Sequence, residues 1–204
     1  MDNAGSFVII IDDDPDIRES LSALLETVGL GSAMFASAAE FLASERPNGP
    51  CCIVLDVRLP GLGGFEFQRR LAEEHFPVPI IFITGYGDVP MSVRAMKAGA
   101  VEFLTKPVPD QEFLEAVQAA LSRDSLRIAA DREVAELRAR HRSLTAREQQ
   151  VMALLAAGLV NKQIAGELAV AEVTVRLHRL QVMKKMNVVS LAELIRVADR
   201  IKDP

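Results

Sequence analysis

The first 120 residues alternate short unbroken apolar runs with longer stretches of helical spacing. The run 7–11 (FVIII) is almost wholly β-branched, which predicts a strand buried on both faces. Runs of the same kind at 51–55 (CCIVL) and 79–83 (PIIFI) predict two more such strands, and shorter apolar runs at 33–35 and 101–104 predict two weaker ones. Between them, residues 17–28, 38–44, 65–74, 90–98 and 110–121 carry apolar positions at helical spacing, with Gly29 and Gly99 as stops. Five βα units in series require crossover helices between parallel strands. The expected architecture is a five-stranded, doubly wound parallel sheet with helices on both faces.

The pattern changes after that. From 122 to 143 the chain is charged and alanine-rich, with neither Gly nor Pro. Leu126, Ala130, Val134 and Leu137 recur at spacings of 4, 4 and 3, a stripe of about two heptads. It reads as a continuation of the preceding helix or as a separate helix, and as a partly solvated spacer or a coiled coil with a second copy. From Leu144 onward four short helical patterns follow. Thr145 and Glu148 have capping-box spacing ahead of a helix at 146–156, Asn161 is placed to cap a helix through 168, residues 172–186 form a longer helix, and Ser190 caps a last one reaching about 201. The expected organisation is an α/β domain at 1–122, a helical linker at 123–142 and a small all-α domain at 143–204.

Charge sharpens this division. The formal net charge is −5, but residues 1–140 carry 13 Lys and Arg against 22 Asp and Glu, while 141–204 carry 10 against 6. An acidic front and a basic tail suggest different partners, with phosphate contact a candidate for the tail. Cys51 and Cys52 are adjacent inside a strand run, so they read as small buried hydrophobes and fit a reducing cytoplasm. Residues 1–6 show no basic run leading into an apolar core, and no apolar run approaches the roughly 20 residues of a membrane span, so neither a signal peptide nor a membrane partner is expected.

In a parallel sheet, chemistry gathers beyond the carboxyl ends of the strands. The first strand runs into Asp12-Asp13-Asp14, the third strand into Asp56, the fourth into Thr84, and the fifth is followed by Lys106-Pro107. Singly each is commonplace, since Asp at a strand end also caps helices and Lys-Pro also marks turns. Together they bring to one edge a carboxylate cluster suited to a hard divalent cation, a carboxylate able to attack phosphorus, a hydroxyl, and an ammonium to offset charge on transferring oxygens.

The segments VIIIDDD (8–14), LDVRLPG (55–61), FITG (82–85) and AVEFLTKP (100–107) resemble the receiver domain of bacterial response regulators over residues 6–122. The resemblance implies a CheY-like fold. It also implies phosphorylation of Asp56 by a sensor histidine kinase, and Mg²⁺ or Mn²⁺ held by Asp12, Asp13, Asp56 and the backbone carbonyl of Arg58. Thr84 and Phe103 match the switch pair and Lys106 the phosphate-binding lysine, ahead of a cis proline bond. Leu59 departs from the frequent Met. Arg58 and Tyr86 flank the phosphoryl position and are expected to screen it from water, or else simply to line the surface.

In the tail, two helices flank a turn at 169–171, the spacing of a helix-turn-helix. Val175, Val182 and Met186 form a stripe that should face inward, opposite Arg176, Leu177, Leu180, Gln181 and Lys184. Arg and Gln have donor geometry for base edges, and Leu offers apolar contact. Helix spacing alone fits a partner-binding bundle equally well. The segments LTARE (144–148), GLVNKQIA (158–165) and TVRLH (174–178) resemble the LuxR-type helix-turn-helix, and the whole chain resembles the NarL/FixJ family, on its FixJ side through TGYGDVPM (84–91). By that resemblance Arg176, Leu177 and Leu180 face bases, with Gln181 beside them, and Lys162, Thr174 and Lys184 face phosphates of double-stranded DNA. Ala171, Leu180 and Gln181 depart from the common form. The implied mechanism is phosphorylation-driven homodimerisation through a face including Val93, Met96 and Lys97, followed by promoter binding, with RNA polymerase a further partner. Two alternatives stand beside it. One is an aspartyl-phosphate hydrolase, disfavoured because Arg58 occupies the place of that class's second Asp. The other is a DNA binder independent of phosphorylation. No enzyme activity is expected.

Overall fold

A computed structural model describes residues 5–45, 47 and 49–202, without the side chain of residue 202. The start of the segment read for a signal peptide, residues 1–4, lies outside the described residues. The chain divides into two compact units, Met1–Ile128 and Ala129–Pro204.

The first unit contains β1 (Phe7–Ile11), α1 (Pro15–Thr27), β2 (Gly31–Phe35), α2 (Ala38–Ala43), β3 (Cys51–Asp56), α3 (Gly64–Glu73), β4 (Ile80–Thr84), α4 (Val89–Lys97) and β5 (Glu102–Thr105). The five strands are parallel in the order β2-β1-β3-β4-β5. The unbroken apolar runs are explained by burial on both sides. Alternate residues of β1 and β3 enter different cores: Ile9, Ile11, Ile53 and Leu55 pack with Phe41, Phe67 and Leu71 of α2 and α3, while Val8, Ile10, Cys52 and Val54 pack with Leu25 of α1 and Phe113 and Val117. Burying a side chain of this size contributes about 1.5–3 kcal/mol. Both cysteines are buried and free, and burial pushes the Cys51 thiol up to about 11.

Residues 110–142 form one helix, α5 (Asp110–Arg142), so the continuous alternative read from the sequence is the observed one. The stripe on it is mixed: Leu126 and Ala130 are exposed, Val134 is half-buried and Leu137 is buried.

The second unit contains α6 (Ala146–Ala156), α7 (Asn161–Glu167), α8 (Glu172–Met186) and α9 (Leu191–Lys202) around Leu144, Val151, Leu155, Ile164, Val175, Val182, Met186 and Leu194. The capping box forms: Thr145 Oγ1 accepts from the Glu148 N–H at 3.3 Å, and Glu148 Oε2 accepts from the Thr145 N–H at 2.8 Å. Ser190 Oγ caps α9 by accepting from Glu193 N at 3.2 Å. The cap expected at Asn161 is displaced by one residue. Val160 is the extended N-cap, and the Gln163 side chain reaches back to accept from its N–H at 2.9 Å, while Asn161 is already helical and lies near Arg179. A residue with no capping side chain therefore occupies the cap because a glutamine one turn on satisfies its backbone.

Lys185 Nζ also donates to Glu148 Oε2, at 2.7 Å, tying α8 to the start of α6. The hydrogen bonds from Lys185 and the Thr145 backbone hold the Glu148 carboxyl below the ordinary carboxylate range. Glu148 thus binds a proton less readily folded than unfolded. Its contribution is present above the ordinary value of 4.5 and is lost as pH falls through the lower folded value. Glu148→Ala is expected to cost about 2 kcal/mol, from a lost cap and a stranded Lys185, and to flatten the acid limb of the unfolding midpoint against pH. Thermal unfolding from pH 3 to pH 7 checks both.

Candidate functional site

The carboxyl rim of the sheet is where the strand order reverses, with β2 on one side of β1 and β3 on the other. Such switch points open a crevice for ligands, and the acidic residues border this one. Asp12 follows β1 and Asp56 ends β3; both are buried, and the exposed Asp13 completes a triplet whose oxygens lie within 4.8 Å of one another. Asp14 takes a different task. Its side chain caps α1 by accepting from Asp16 N at 2.9 Å, and its own N–H donates to Asp12 Oδ1 at 3.0 Å. Arg58 N donates to Asp56 Oδ1 at 2.9 Å.

Lys106 reaches the triplet from beyond β5. Its Nζ donates to Asp12 Oδ2 at 2.6 Å and to Asp56 Oδ2 at 2.9 Å. Its backbone N–H donates to Thr84 O at 2.8 Å, and the Lys106–Pro107 bond is cis. Burial pushes the Asp12 carboxyl above its ordinary range, and the Asp56 charge adds to the rise against the hydrogen bonds from Lys106 and Asp14. Burial pulls Lys106 down, but its bonds to the two carboxylates outweigh that and leave it above its ordinary value. The one ammonium bonded to Asp12 and Asp56 does not balance the triplet of carboxylates. Oxygen donors alone, in a site short of positive charge, fit a hard divalent ion such as Mg²⁺.

Thr84 is buried, and its Oγ1 accepts from Tyr86 N at 3.3 Å. Phe103 is half-buried, with its ring centroid 6.4 Å from that of Phe82. Gly87 packs so closely that a Cβ there would stand 2.7 Å from Thr105 Cγ2 and 3.0 Å from Phe103 Cε1. The Arg58 guanidinium carbon lies 4.4 Å from the centroid of the exposed Tyr86 ring, so the two flanking residues form one cation–π pair. On α4, Val93, Met96 and Lys97 are all exposed. Arg18 was not anticipated: from α1 it donates to the Asp12 carbonyl at 2.6 Å.

In the second unit, α7 and α8 form the expected pair, with Ala169 in the left-handed region (φ 51°) at the turn. Lys162, Arg176, Leu177, Leu180, Gln181 and Lys184 are exposed and Thr174 is half-buried, while Val175, Val182 and Met186 are buried. Arg176 pairs with Glu172 one turn earlier at 2.9 Å. Among the described residues no helix is long and apolar enough to cross a membrane.

Residues 8–118 match the family described as response regulator receiver domain, and residues 142–198 match the family described as bacterial regulatory proteins, luxR family. The chain is 52% identical over 196 residues to Nodulation protein W of Bradyrhizobium diazoefficiens, covering 96% of this chain and 86% of that protein. It is 43% identical over 203 residues to response regulator protein TodT of Pseudomonas putida, covering 100% of this chain and 89% of TodT. Among solved structures it resembles response regulator StyR, with a TM-score of 0.85 and 46% identity over 96% of this chain and 99% of that one.

Proposed function

Since this chain belongs to the response regulators that join a receiver domain to a LuxR-type DNA-binding domain, and so regulates transcription, we propose that phosphorylation of Asp56 controls its binding to promoter DNA. The observation that carries this reading is the Lys106 ammonium bonded at once to Asp12 and Asp56.

In the proposed reaction an Asp56 carboxylate oxygen attacks the phosphorus of a phosphohistidine on a sensor kinase. The P–N bond breaks, an acyl phosphate forms, and the freed imidazole nitrogen takes a proton from water. Lys106 stays beside the transferred group and offsets its charge. Asp12, Asp13, Asp56 and the Arg58 carbonyl would hold Mg²⁺ or Mn²⁺, which supplies charge neutralisation at the phosphoryl oxygens. Thr84 then donates its hydroxyl hydrogen to a phosphoryl oxygen, and Phe103 follows it. The surface bearing Val93, Met96 and Lys97 pairs with a second copy, and the dimer presents two recognition helices to two half-sites. Arg176, Leu177, Leu180 and Gln181 face bases, and Lys162, Thr174 and Lys184 face phosphates. RNA polymerase is the further partner of such a dimer, and the cytoplasm its place of action. Arg58, where hydrolases of the aspartyl-phosphate class carry a second Asp, favours a switch over turnover.

Acetyl phosphate with Mg²⁺ is expected to label wild-type protein at one site and Asp56→Asn protein not at all. Equal labelling of the two would remove Asp56 from the account. In this reading the Arg58–Tyr86 pair, joined by its cation–π contact, screens the acyl phosphate from attacking water, so Arg58→Asn and Tyr86→Ala proteins are each expected to lose the label faster than wild type. A chase after removal of the donor measures this, and unchanged rates would reduce the pair to surface packing.

A further inference from the structure

Helix α8 carries two apolar stripes, and only one of them meets the core of its unit. Val175, Val182 and Met186 are fully buried. Val173, Leu177 and Leu180 recur at i, i+4 and i+7 and are 63%, 61% and 65% exposed. At about 100° per residue the second stripe lies on the side of the helix opposite the first. Single exposed apolar side chains are ordinary on protein surfaces. Three of them on consecutive turns, turned away from the core, form a patch that lacks a partner.

The rim of the patch restricts what covers it. Arg176 flanks the stripe on one side, Thr174 and Gln181 on the other, and Lys184 continues it by one turn. Residues 129–204 carry 13 Lys and Arg against 9 Asp and Glu. A rim of hydrogen-bonding groups with two cations, Arg176 and Lys184, around methyl-rich side chains is complementary to a surface with anions at its edge and methyl groups on its floor. The major groove has both, with phosphates along its walls and the thymine C5 methyl among the bases.

We infer that Val173, Leu177 and Leu180 read thymine methyl groups, so that the half-site of this chain is set in part by a short run of thymines. The inference rests on α8 being the DNA-reading helix. Seven residues of helix advance about 10 Å, roughly three base-pair steps at about 3.4 Å each, so the stripe can cover methyls on neighbouring steps. Leu and Val have no donor or acceptor, and of the four bases thymine alone offers them a methyl group in this groove. The flanking Arg176 and Gln181 keep the hydrogen-bonding geometry for guanine and adenine beside the run.

Uracil tests this directly, because it keeps every hydrogen-bonding group of thymine and lacks the methyl. Full-length protein treated with acetyl phosphate and Mg²⁺ selects duplexes from a randomised pool, and the selected duplex is remade with deoxyuridine. Wild type is expected to bind about fourfold more weakly for each covered methyl removed. Leu177→Ala and Leu180→Ala proteins, both altered at exposed positions, are expected to bind the thymine duplex more weakly and to lose about fourfold less than wild type when thymine is replaced by uracil, while the double variant loses less still. Equal affinity of wild type for the two duplexes overturns the inference, leaves DNA binding standing, and turns the stripe into a protein-docking surface. Recovery of no duplex, with or without acetyl phosphate, overturns the DNA-binding reading itself and the inference with it.

Discussion

Lys106→Met protein is expected to accept the phosphoryl group from acetyl phosphate about 100- to 1000-fold more slowly than wild type, the effect of deleting one preorganised donor at developing charge. The geometry makes Lys106 hard to replace. It is the one cation bonded to both Asp12 and Asp56 among the described residues, and it stands where charge accumulates on the incoming group. Methionine keeps the length of the side chain and removes the ammonium, which also leaves two buried carboxylates facing each other. Metal-free Lys106→Met protein should therefore unfold more readily, and added Mg²⁺ should recover part of that loss while leaving transfer slow. Wild-type labelling rates in this variant would mean that Lys106 has no part in the transfer.

Gly64→Ala has the largest expected effect on the fold around the site. A Cβ at Gly64 would stand 2.6 Å from the Asp56 carbonyl oxygen and 3.1 Å from Val57 Cα and Phe82 Cε1. Two of those neighbours are backbone atoms of the strand end that carries Asp56, so no side-chain rotation relieves the contact. The expected cost is about 2–3 kcal/mol, roughly 10 °C in unfolding midpoint for a unit of this size, with slower labelling because Asp56 moves with its backbone. Gly85→Ala is the control: nothing lies within 4 Å of its Cβ. A Gly64→Ala protein as stable as Gly85→Ala would show that the rim of the sheet yields more easily than its packing indicates.

Much of this architecture was legible because its causes are local. A strand buried on both faces must be apolar at every position, and β1, β3 and β4 announce themselves in that way. The apolar signal of the weaker β2 starts at 33 rather than 31, since Gly31 and Ser32 are held by pairing with Phe7 and Val8. The length of α5 is not fixed by its sequence, because a charged helix and a charged spacer look alike, and an absence of breakers permits a helix without requiring one. Local preference favours Asn161 as the cap, while Gln163 decides the matter from one turn on.

The acid cluster was legible because strand ends converge by topology. Its supports were not. Nothing in the spacing of Arg18 marks it as a donor to the Asp12 carbonyl, and the Gly64 contact depends on a strand and a helix meeting in space. Asp124 looks like one more charge on a solvated helix. It is fully buried, accepting from Cys51 N at 2.9 Å and paired with Arg127 at 2.8 Å. Val173 carries no signal in the sequence, because its meaning lies in the exposure it shares with Leu177 and Leu180.

The decisive measurement is a titration of full-length protein with its selected duplex, before and after treatment with acetyl phosphate and Mg²⁺, in parallel with Asp56→Asn protein. Coupling free energies between linked sites commonly correspond to about 5- to 150-fold in affinity. A gain in that range for wild type, with none for Asp56→Asn, is the expected result. Fully labelled wild-type protein binding DNA no more tightly than unlabelled protein would contradict control by Asp56 and leave a regulator that binds DNA without regard to phosphorylation.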